Sequence, residues 1–207
     1  MVRIGILGGT FNPPHRGHLA LARHARDELS LERVLLMPVG SPPHKPGGED
    51  PGAEHRLAMC RLAAAGEPAV EACALELERA GPSYTADTLE EIHDRHPEAE
   101  LTFIVGADTA RSLPGWHRPR RVLELAELAV AARSGSDREQ VKAALASAAG
   151  GALEPRVRFL EMTPIEASSS AARELVAAGA DAAGMLGPEV SAYIAAHALY
   201  RDGKEPR

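Results

Sequence analysis

The sequence has 207 residues, of which 44% are hydrophobic and 25% are charged, and its formal net charge at pH 7 is −6. A chain of this length can bury a proper core within one domain. The negative charge argues against a nucleic acid or an anionic membrane as a partner held by bulk electrostatics. A small phosphorylated ligand is compatible with it, because such a ligand needs only a local basic cluster.

No apolar stretch reaches the ~20 residues that a membrane-spanning helix needs. The apolar run nearest the N-terminus, Ile4 to Leu7, is too short for a signal peptide. The two cysteines, Cys60 and Cys73, show neither a metal-binding spacing nor a disulfide framework. We therefore expect a soluble cytoplasmic protein with reduced thiols and with no membrane or nucleic-acid partner.

Predicted strands and helices alternate along the chain. Short apolar runs predict strands at Val2–Leu7, Arg33–Val39, Val70–Leu77, Leu101–Val105, Leu128–Ala132 and Val157–Leu160. Helical patterns lie at Arg16–Leu29, Glu54–Ala65, Ser83–His96, Ser136–Ala149, Ser169–Ala178 and Pro188–Tyr200. The alternation predicts an α/β fold with a doubly wound, mostly parallel sheet and helices on both faces. We expect residues 1–207 to form a single domain whose portion from about residue 168 onward is helical.

Polar and glycine-rich segments follow four of the predicted strands. They are Gly8–His18, Gly40–Lys45, Gly106–His117 and Pro164–Arg173. In sheets of this kind, ligands bind outside the carboxyl ends of the strands. We therefore expect these four segments to carry the chemistry.

The segment Gly8–His18 opens the first predicted helix after a glycine-rich turn. A helix that begins there presents unpaired backbone N–H groups and a positive dipole end, which suits a phosphate. The spacing matches neither the dinucleotide-binding G-x-G-x-x-G pattern nor a Walker loop. The segment has instead two histidines, His15 and His18, in the first turn of the helix.

The two histidines continue an apolar stripe of the helix. Positions 15, 18, 22, 25 and 29 lie on one face, with Ala22, Ala25 and Leu29 further along, so the stripe is expected to face the sheet. His15 and His18 then point inward over the strand ends, where neutral imidazole N–H groups can donate to phosphoryl oxygens. Other interpretations are capping or core histidines, or a zinc pair, although no third ligand is suggested nearby.

Three further residues, Lys45, Thr85 and Trp116, are candidates for a functional role. Lys45 lies in a proline-rich loop, whereas the other lysines fall on a predicted surface helix and in the tail. Thr85 shares a helix face with Leu89 and Ile92, so it is placed at the inward end of that face, although a capping role is the alternative. Trp116 lies in a Pro-Gly loop, where stacking on a flat ring explains it better than core packing does, and loop anchoring stays open.

Basic and hydroxyl side chains occupy the rest of these segments. Arg118, Arg120 and Arg121 are expected to form a solvated basic face rather than an anion site. The hydroxyls at 168–170 begin a predicted helix, where they can cap it or donate to phosphate, and Arg173 lies one turn after Ser169 on the same face.

Together these segments resemble a known family. Gly8–His18 is similar to the G-G-T-F-[DN]-P-x-H-x-G-H signature of the nicotinate-nucleotide adenylyltransferases, within the H-x-G-H nucleotidyltransferase superfamily. The loop P-P-H-K, the stretch P-S-Y-T-x-D-T and the stretch G-A-D-x-x-x-x-L-x-x-W-H-R are similar too. In the family's I-S-S-T-x-I-R pattern, Ala167 and Ala172 replace the isoleucines and Ser170 replaces threonine. The resemblance spans nearly the whole chain.

The resemblance implies a Rossmann-like nucleotidyltransferase fold and transfer of the adenylyl group from ATP to nicotinate mononucleotide, with Mg²⁺ bound through the ATP phosphates. The implied catalytic residues are His15, His18, Lys45 and Arg173. The implied ATP-binding residues are Gly8, Gly9, Thr10, Phe11, His15, His18, Gly106, Asp108, Ser168, Ser169, Ser170 and Arg173. The implied residues for nicotinate mononucleotide are Lys45, Thr85, Ala107, Trp116 and His117. No residue is expected to ligate a metal directly, and a homo-oligomer stays open.

Three alternatives remain at this point. Nicotinamide mononucleotide can be the acceptor, because Thr85 and backbone N–H groups satisfy either a carboxylate or an amide oxygen. Pantetheine-phosphate adenylyltransferase shares the H-x-G-H motif, but it lacks the tryptophan loop and the P-S-Y-T stretch. A nucleotide-binding regulatory module without catalysis is the alternative from another class.

Overall fold

The computed structural model describes residues 2–41, 50–132, 135–151, 153–162 and 165–201. Within these residues, six parallel strands form one sheet in the order β3-β2-β1-β4-β5-β6. The strands are β1 (Arg3–Gly9), β2 (Arg33–Pro38), β3 (Val70–Ala72), β4 (Glu100–Gly106), β5 (Ala126–Ala131) and β6 (Val157–Leu160). The predicted doubly wound α/β fold is confirmed.

Helices connect the strands, and three more follow the last strand. They are α1 (Arg16–Leu29), α2 (Ala53–Ala64), α3 (Leu75–Glu78), α4 (Thr85–Arg95), α5 (Ala107–Ser112), α6 (Pro119–Leu125), α7 (Gly135–Ala149), α8 (Ser169–Ala177), α9 (Ala183–Leu186) and α10 (Pro188–Ala196). A 3-10 turn at Leu113–Gly115 follows α5. No helix among the described ranges is long and apolar enough to cross a bilayer.

The strands read as continuous apolar runs because both faces of the sheet are covered. Successive side chains of a strand point to opposite faces. Ile4 and Ile6 therefore pack with α4, α6 and α7 in one buried cluster, whereas Leu7 packs with α1 and α2 in another. The alternation within one strand thus assigns each helix to its side of the sheet.

Helix α1 buries the stripe that the sequence predicts. Ala22, Ala25 and Leu29 are buried, and Ala22 and Ala25 have no exposed surface. Small side chains let the helix axis approach the sheet closely. The helix ends at Ser30, which adopts the left-handed conformation with φ of 52°.

The helices α8, α9 and α10 pack on α2 and not directly on the sheet centre. Their apolar cluster joins Met59 of α2 to Ala172, Leu186 and Ile194, and Tyr200 completes it. The first of these helices, α8, begins at Ser169.

Two of the predicted elements end earlier in the structure, and the structure contains helices that were not predicted. The predicted strand Val70–Leu77 ends at Ala72 and is followed by α3, because Leu77 N–H bonds to the Ala74 carbonyl in a turn instead of continuing the ladder. The last helix ends at Ala196 rather than at Tyr200, since Ala198 and Tyr200 adopt positive φ. Helix α6 was not predicted; it begins at a proline, a favoured first helical residue.

The strand order creates a crevice beside β1. The chain proceeds from β1 to β2 on one side and later returns to place β4 on the other side. The connections on the two sides of β1 run in opposite directions, and ligands bind at such a switch point in open α/β sheets. The segments after β1, β2 and β4 therefore lie around one crevice.

Candidate active site

Two cavities open at the carboxyl ends of the strands. The first, about 390 Å³, lies beside the start of α1 and the start of α5. Its lining includes His15, Gly17, His18, Leu21, Gly106, Ala107, Asp108, Arg111, Ala131, Asp137, Met162 and Ile165. It combines an apolar wall with imidazole, guanidinium and carboxylate groups, which is the mixture that a nucleotide site needs.

The second cavity, about 400 Å³, lies beside the start of α4. Its lining includes Gly8, Gly9, Thr10, Met37, Val39, Glu76, Ser83, Thr85, Thr88, Phe103, Thr109 and Trp116. The segment Gly8–His18 contributes to both cavities, with Gly8, Gly9 and Thr10 in the second and His15, Gly17 and His18 in the first.

The two histidines form a stacked pair at the N-terminus of α1. His15 is the residue that precedes the helix, and its ring lies 3.7 Å from the ring of His18 with an interplanar angle of 30°. Phe11 is buried and contacts His18 edge-on at 4.8 Å. Gly17 leaves room for this arrangement, because a Cβ there would lie 3.0 Å from the His15 ring.

Both imidazoles are neutral at physiological pH. Burial lowers the pKa of His15 from 6.5 to about 4. Burial, and then the neighbouring His15, lower the pKa of His18 to about 3. The backbone N–H of His15 donates to Nδ1 of His18 at 3.2 Å. Nδ1 is therefore an acceptor, so the proton of the neutral His18 ring lies on Nε2, which is the remaining donor.

Thr85 is the first residue of α4 and lies in the wall of the second cavity. Tyr84 occupies the N-cap position without a side-chain cap hydrogen bond, so Thr85 is not the N-cap residue of this helix. Glu76 lies in the same wall and accepts a hydrogen bond from the Thr88 hydroxyl at 2.8 Å. Burial raises the pKa of the Glu76 carboxyl, and hydrogen bonds from Thr88 and Ser83 oppose that rise.

Trp116 borders the second cavity while its edge is anchored in the protein. Its ring packs edge-on against Phe103 at 6.1 Å, and its Nε1–H donates to the Ser112 hydroxyl at 3.0 Å. The residue is half-buried. The structure therefore shows loop anchoring of the indole and also places it at the cavity where stacking was predicted.

The neighbours of Trp116 have other partners. His117 is exposed, lies outside the lining of both cavities and stacks on Tyr84 at 4.3 Å. Arg118 donates to Asp87 at 3.1 Å and forms a two-pronged ion pair with Glu90, at 2.5 and 2.8 Å. Arg118 and Arg121 therefore bind Glu90 of α4, whereas Arg120 binds Glu124 of α6. The three arginine side chains are solvent-exposed, and each is paired with a carboxylate.

Two predicted residues that follow β4 lie in the first cavity. Asp108 is almost fully exposed and forms an ion pair with Arg111, which also donates to Asp137 at 3.1 Å. Ala107 lines this first cavity, although it was predicted for nicotinate mononucleotide. Gly8, Gly9 and Thr10, predicted for ATP, line the second cavity instead.

The hydroxyls and the arginine of α8 bind the segment after β1. Ser168 caps the helix by accepting from the Ala171 N–H at 3.1 Å. The Ser169 hydroxyl donates to the Pro13 carbonyl at 2.8 Å. Arg173 donates to the Asn12 carbonyl at 2.7 Å and to Ser170 Oγ at 3.3 Å. These groups lie beside the segment that carries the histidines but outside the lining of both cavities.

Arg56 is a buried residue of the site that the sequence analysis did not identify. It is 1% exposed and donates to the carbonyls of Thr10 at 3.0 Å and Val39 at 2.7 Å. Its Nε donates to Asp50 at 3.1 Å. It thus holds together two walls of the second cavity. The signal available in the sequence was that Arg56 lies on the same face of a predicted helix as Cys60.

Lys45, a predicted catalytic residue, lies outside the described residues.

No group of three or more His, Cys, Asp or Glu in the described ranges is arranged to hold a metal ion.

Comparisons with known proteins agree with the geometry. A family model described as cytidylyltransferase-like matches residues 6–175. A probable nicotinate-nucleotide adenylyltransferase of Laribacter hongkongensis is 44% identical over 210 residues, which cover 97% of this chain and 95% of the relative. A protein of the same name from Thermomicrobium roseum is 41% identical over 201 residues, covering 97% and 92%.

A solved structure shares the fold. The Plasmodium falciparum nicotinic acid mononucleotide adenylyltransferase, complexed with NaAD, aligns with a TM-score of 0.75 at 16% identity and covers 97% of this chain and 98% of that one. Given the full-length relatives, the family model and the crevice built by the Gly8–His18 segment, the chain belongs to the nicotinate-nucleotide adenylyltransferase family.

Proposed function

We propose that this chain transfers the adenylyl group of ATP to nicotinate mononucleotide, giving nicotinate adenine dinucleotide and pyrophosphate. The observation that carries the proposal is the pair of cavities that share the Gly8–His18 segment. ATP occupies the first cavity, with its phosphates at the N-terminus of α1. The mononucleotide occupies the second, so that its 5′-phosphate meets the α-phosphate of ATP beside the histidines.

The reaction is a direct displacement. An oxygen of the 5′-phosphate bonds to the α-phosphorus of ATP, the bond from that phosphorus to the bridging oxygen of the β-phosphate breaks, and pyrophosphate leaves with the electron pair. No protein nucleophile is needed, because phosphoryl-type transfers depend on positioning and charge stabilisation. A Mg²⁺ ion bound through the ATP phosphates would supply partial neutralisation of their charge.

The protein contributes hydrogen-bond donors around the phosphates. His18 Nε2–H and the backbone N–H groups of the first turn of α1 donate to phosphate oxygens without a proton transfer. Ser169 and Arg173 keep the segment between β1 and α1 in place, and they add hydrogen-bond donors near the phosphates. The proposed catalytic set is His15, His18, Lys45 and Arg173, with Lys45 assigned on the family pattern alone.

The start of α4 favours a nicotinate over a nicotinamide acceptor. Thr85 occupies the first turn of this helix, where backbone N–H groups and the helix dipole favour an anion. A carboxylate gains from that field, whereas a neutral amide gains less. Trp116 offers a flat surface to the pyridine ring. We assign Thr85 and Trp116 to the nicotinate end, and place Ala107, which lines the first cavity, near the junction of the two substrates.

The experiment is to incubate the purified chain with ATP and Mg²⁺ together with either mononucleotide, and to measure pyrophosphate and the mass of the product. Rapid pyrophosphate release with nicotinate mononucleotide and slow release with nicotinamide mononucleotide is expected. Preference for the amide would contradict the acceptor assignment. Nucleotide binding without pyrophosphate release would identify a regulatory module instead. The cytoplasmic location, the single domain and the oligomeric state stay predictions.

A further inference from the structure

The last described turn of the chain reaches back to the segment that carries the histidines. The Tyr200 hydroxyl donates to Asn12 Oδ1 at 2.6 Å, across a sequence separation of 188 residues. Both side chains are buried, with exposed fractions of 3% and 5%. This short buried hydrogen bond joins the C-terminal helical portion to the segment that follows β1.

Tyr200 is held in place firmly enough to act on Asn12. Its ring packs with Leu186 and Ile194 in the apolar cluster of the C-terminal helices. Its φ is +59°, a left-handed conformation that a tyrosine adopts only when the surroundings over-determine it. Packing of the ring and the bond to Asn12 together fix the position of the hydroxyl.

Asn12 in turn lies beside groups that touch His18. The preceding residue, Phe11, has φ of +50° and places its ring 4.8 Å from the His18 ring. The Asn12 carbonyl accepts from Arg173 at 2.7 Å. Asn12 is thus held at its side chain by Tyr200 and at its carbonyl by Arg173. Because Phe11 is its neighbour in the chain, a rotation of the Asn12 backbone would also move the Phe11 ring that contacts His18.

We propose that Tyr200 is a positioning residue for adenylyl transfer, which acts through Asn12 and Phe11 to fix the imidazole of His18. Tyr200 itself touches no substrate. The inference rests on the proposed function of His18 as a phosphate donor. The positioning role predicts that loss of the Tyr200 hydroxyl lowers kcat by more than the accompanying loss of folding stability explains.

The chain offers a matched control for this hydroxyl. Tyr193 also belongs to the C-terminal helices, and its hydroxyl contacts Nδ1 of His55 on α2 at 2.9 Å, away from both cavities. Tyr200→Phe and Tyr193→Phe each remove one hydrogen-bonded hydroxyl. Tyr200→Phe removes a buried hydrogen bond and Tyr193→Phe a part-buried one, so a larger decrease in Tm is expected for Tyr200→Phe. Turnover is therefore compared well below the unfolding transitions of both variants, where a difference in kcat separates positioning from stability.

The kinetic test compares kcat and both KM values well below the unfolding transition. We expect kcat to fall about tenfold in Tyr200→Phe, with both KM values within about twofold of wild type, because misplaced groups lose rate before binding. Tyr193→Phe is expected to keep kcat within about twofold of wild type. Equal kcat values for the two variants would overturn the inference.

A double variant tests whether the effect passes through Asn12. Asn12→Ala and Tyr200→Phe break the same link, so their combination is expected to be no slower than the slower single variant, within about twofold. Effects that multiply would show independent actions and overturn the inference.

A readout without substrates separates this inference from the proposed function. Nitrogen NMR of the free protein reports the His18 ring, whose shifts are expected to change in Tyr200→Phe and not in Tyr193→Phe. An unchanged His18 spectrum in Tyr200→Phe overturns the positioning role, whether or not the wild type is active. A changed spectrum in a chain that forms no dinucleotide supports the link and contradicts the proposed function alone.

Discussion

Replacement of His18 tests the phosphate-donor role most directly. The proposed interaction is one preorganised Nε2–H donor at the first turn of α1, since Nδ1 accepts from the His15 N–H at 3.2 Å. Removal of one such donor from a transition state costs about 2.7–4 kcal/mol, or about 10²–10³ in rate. We therefore expect His18→Ala to lower kcat by about 10²–10³.

The tautomer gives the prediction a finer form. A glutamine amide nitrogen reaches about the position of Nε2, whereas an asparagine amide nitrogen reaches about that of Nδ1. His18→Gln is expected to be faster than His18→Asn by about fivefold to tenfold, the value of one neutral hydrogen bond of ~1 kcal/mol. An asparagine variant that equals or exceeds the glutamine variant would refute the assignment of the proton to Nε2.

The assay is pyrophosphate release at saturating ATP and acceptor, with circular dichroism and Tm as checks on folding. His24→Ala, on the same helix but outside both cavities, is the control and is expected to keep kcat within about twofold. His18 itself is expected to contribute no break near pH 6.5 to the wild-type rate, because burial holds its pKa at about 3. A folded His18→Ala variant with near-normal kcat would refute the phosphate-donor role of His18.

Three further predictions concern the acceptor, the buried cation and acid stability. Trp116→Ala is expected to raise KM for the mononucleotide about twofold to tenfold and leave KM for ATP unchanged, from a lost stacking energy of ~0.5–1.5 kcal/mol; equal changes in both KM values would contradict this. Arg56→Met leaves buried carbonyls unpaired and is expected to lower the urea-measured free energy of unfolding by about 3–5 kcal/mol. Exposed Arg61→Met, its control on α2, is expected to change it by less than about 0.5 kcal/mol, and a matching small change in Arg56→Met would be evidence against the bridging role. Acid is expected to destabilise the protein between pH 6.5 and about 3, because the unfolded histidines protonate near 6.5 while folding lowers the pKa values of His15 and His18 to about 4 and 3. That loss has a slope of at most about 1.4 kcal/mol per pH unit for each histidine. Replacement of both histidines by asparagine should flatten it, and an unchanged acid-unfolding profile would argue against buried neutral imidazoles.

The local pattern of the sequence determines the strands, most helices and the sheet-facing stripe of α1. Periodicity and glycine or proline punctuation are local properties, so Ala22, Ala25 and Leu29 could be placed on a buried face from their spacing alone. The same locality explains the end of β3, which was predicted too long. Whether a short apolar run stays extended depends on a neighbouring strand, and the ladder to β2 ends at Ala72.

Only the tertiary structure decides which distant groups meet. The sequence places His15 and His18 at a helix start, but their low pKa values and the Nε2 tautomer follow from burial and from a backbone contact that folding creates. Arg56 and Tyr200 carry no local signature of a site. Arg56 contacts Thr10, which is 46 residues away in the sequence, and Tyr200 contacts Asn12, which is 188 residues away. The roles of Arg56 and Tyr200 arise from these contacts. Such pairings are fixed by the packing of whole elements against one another, which no window of adjacent residues contains.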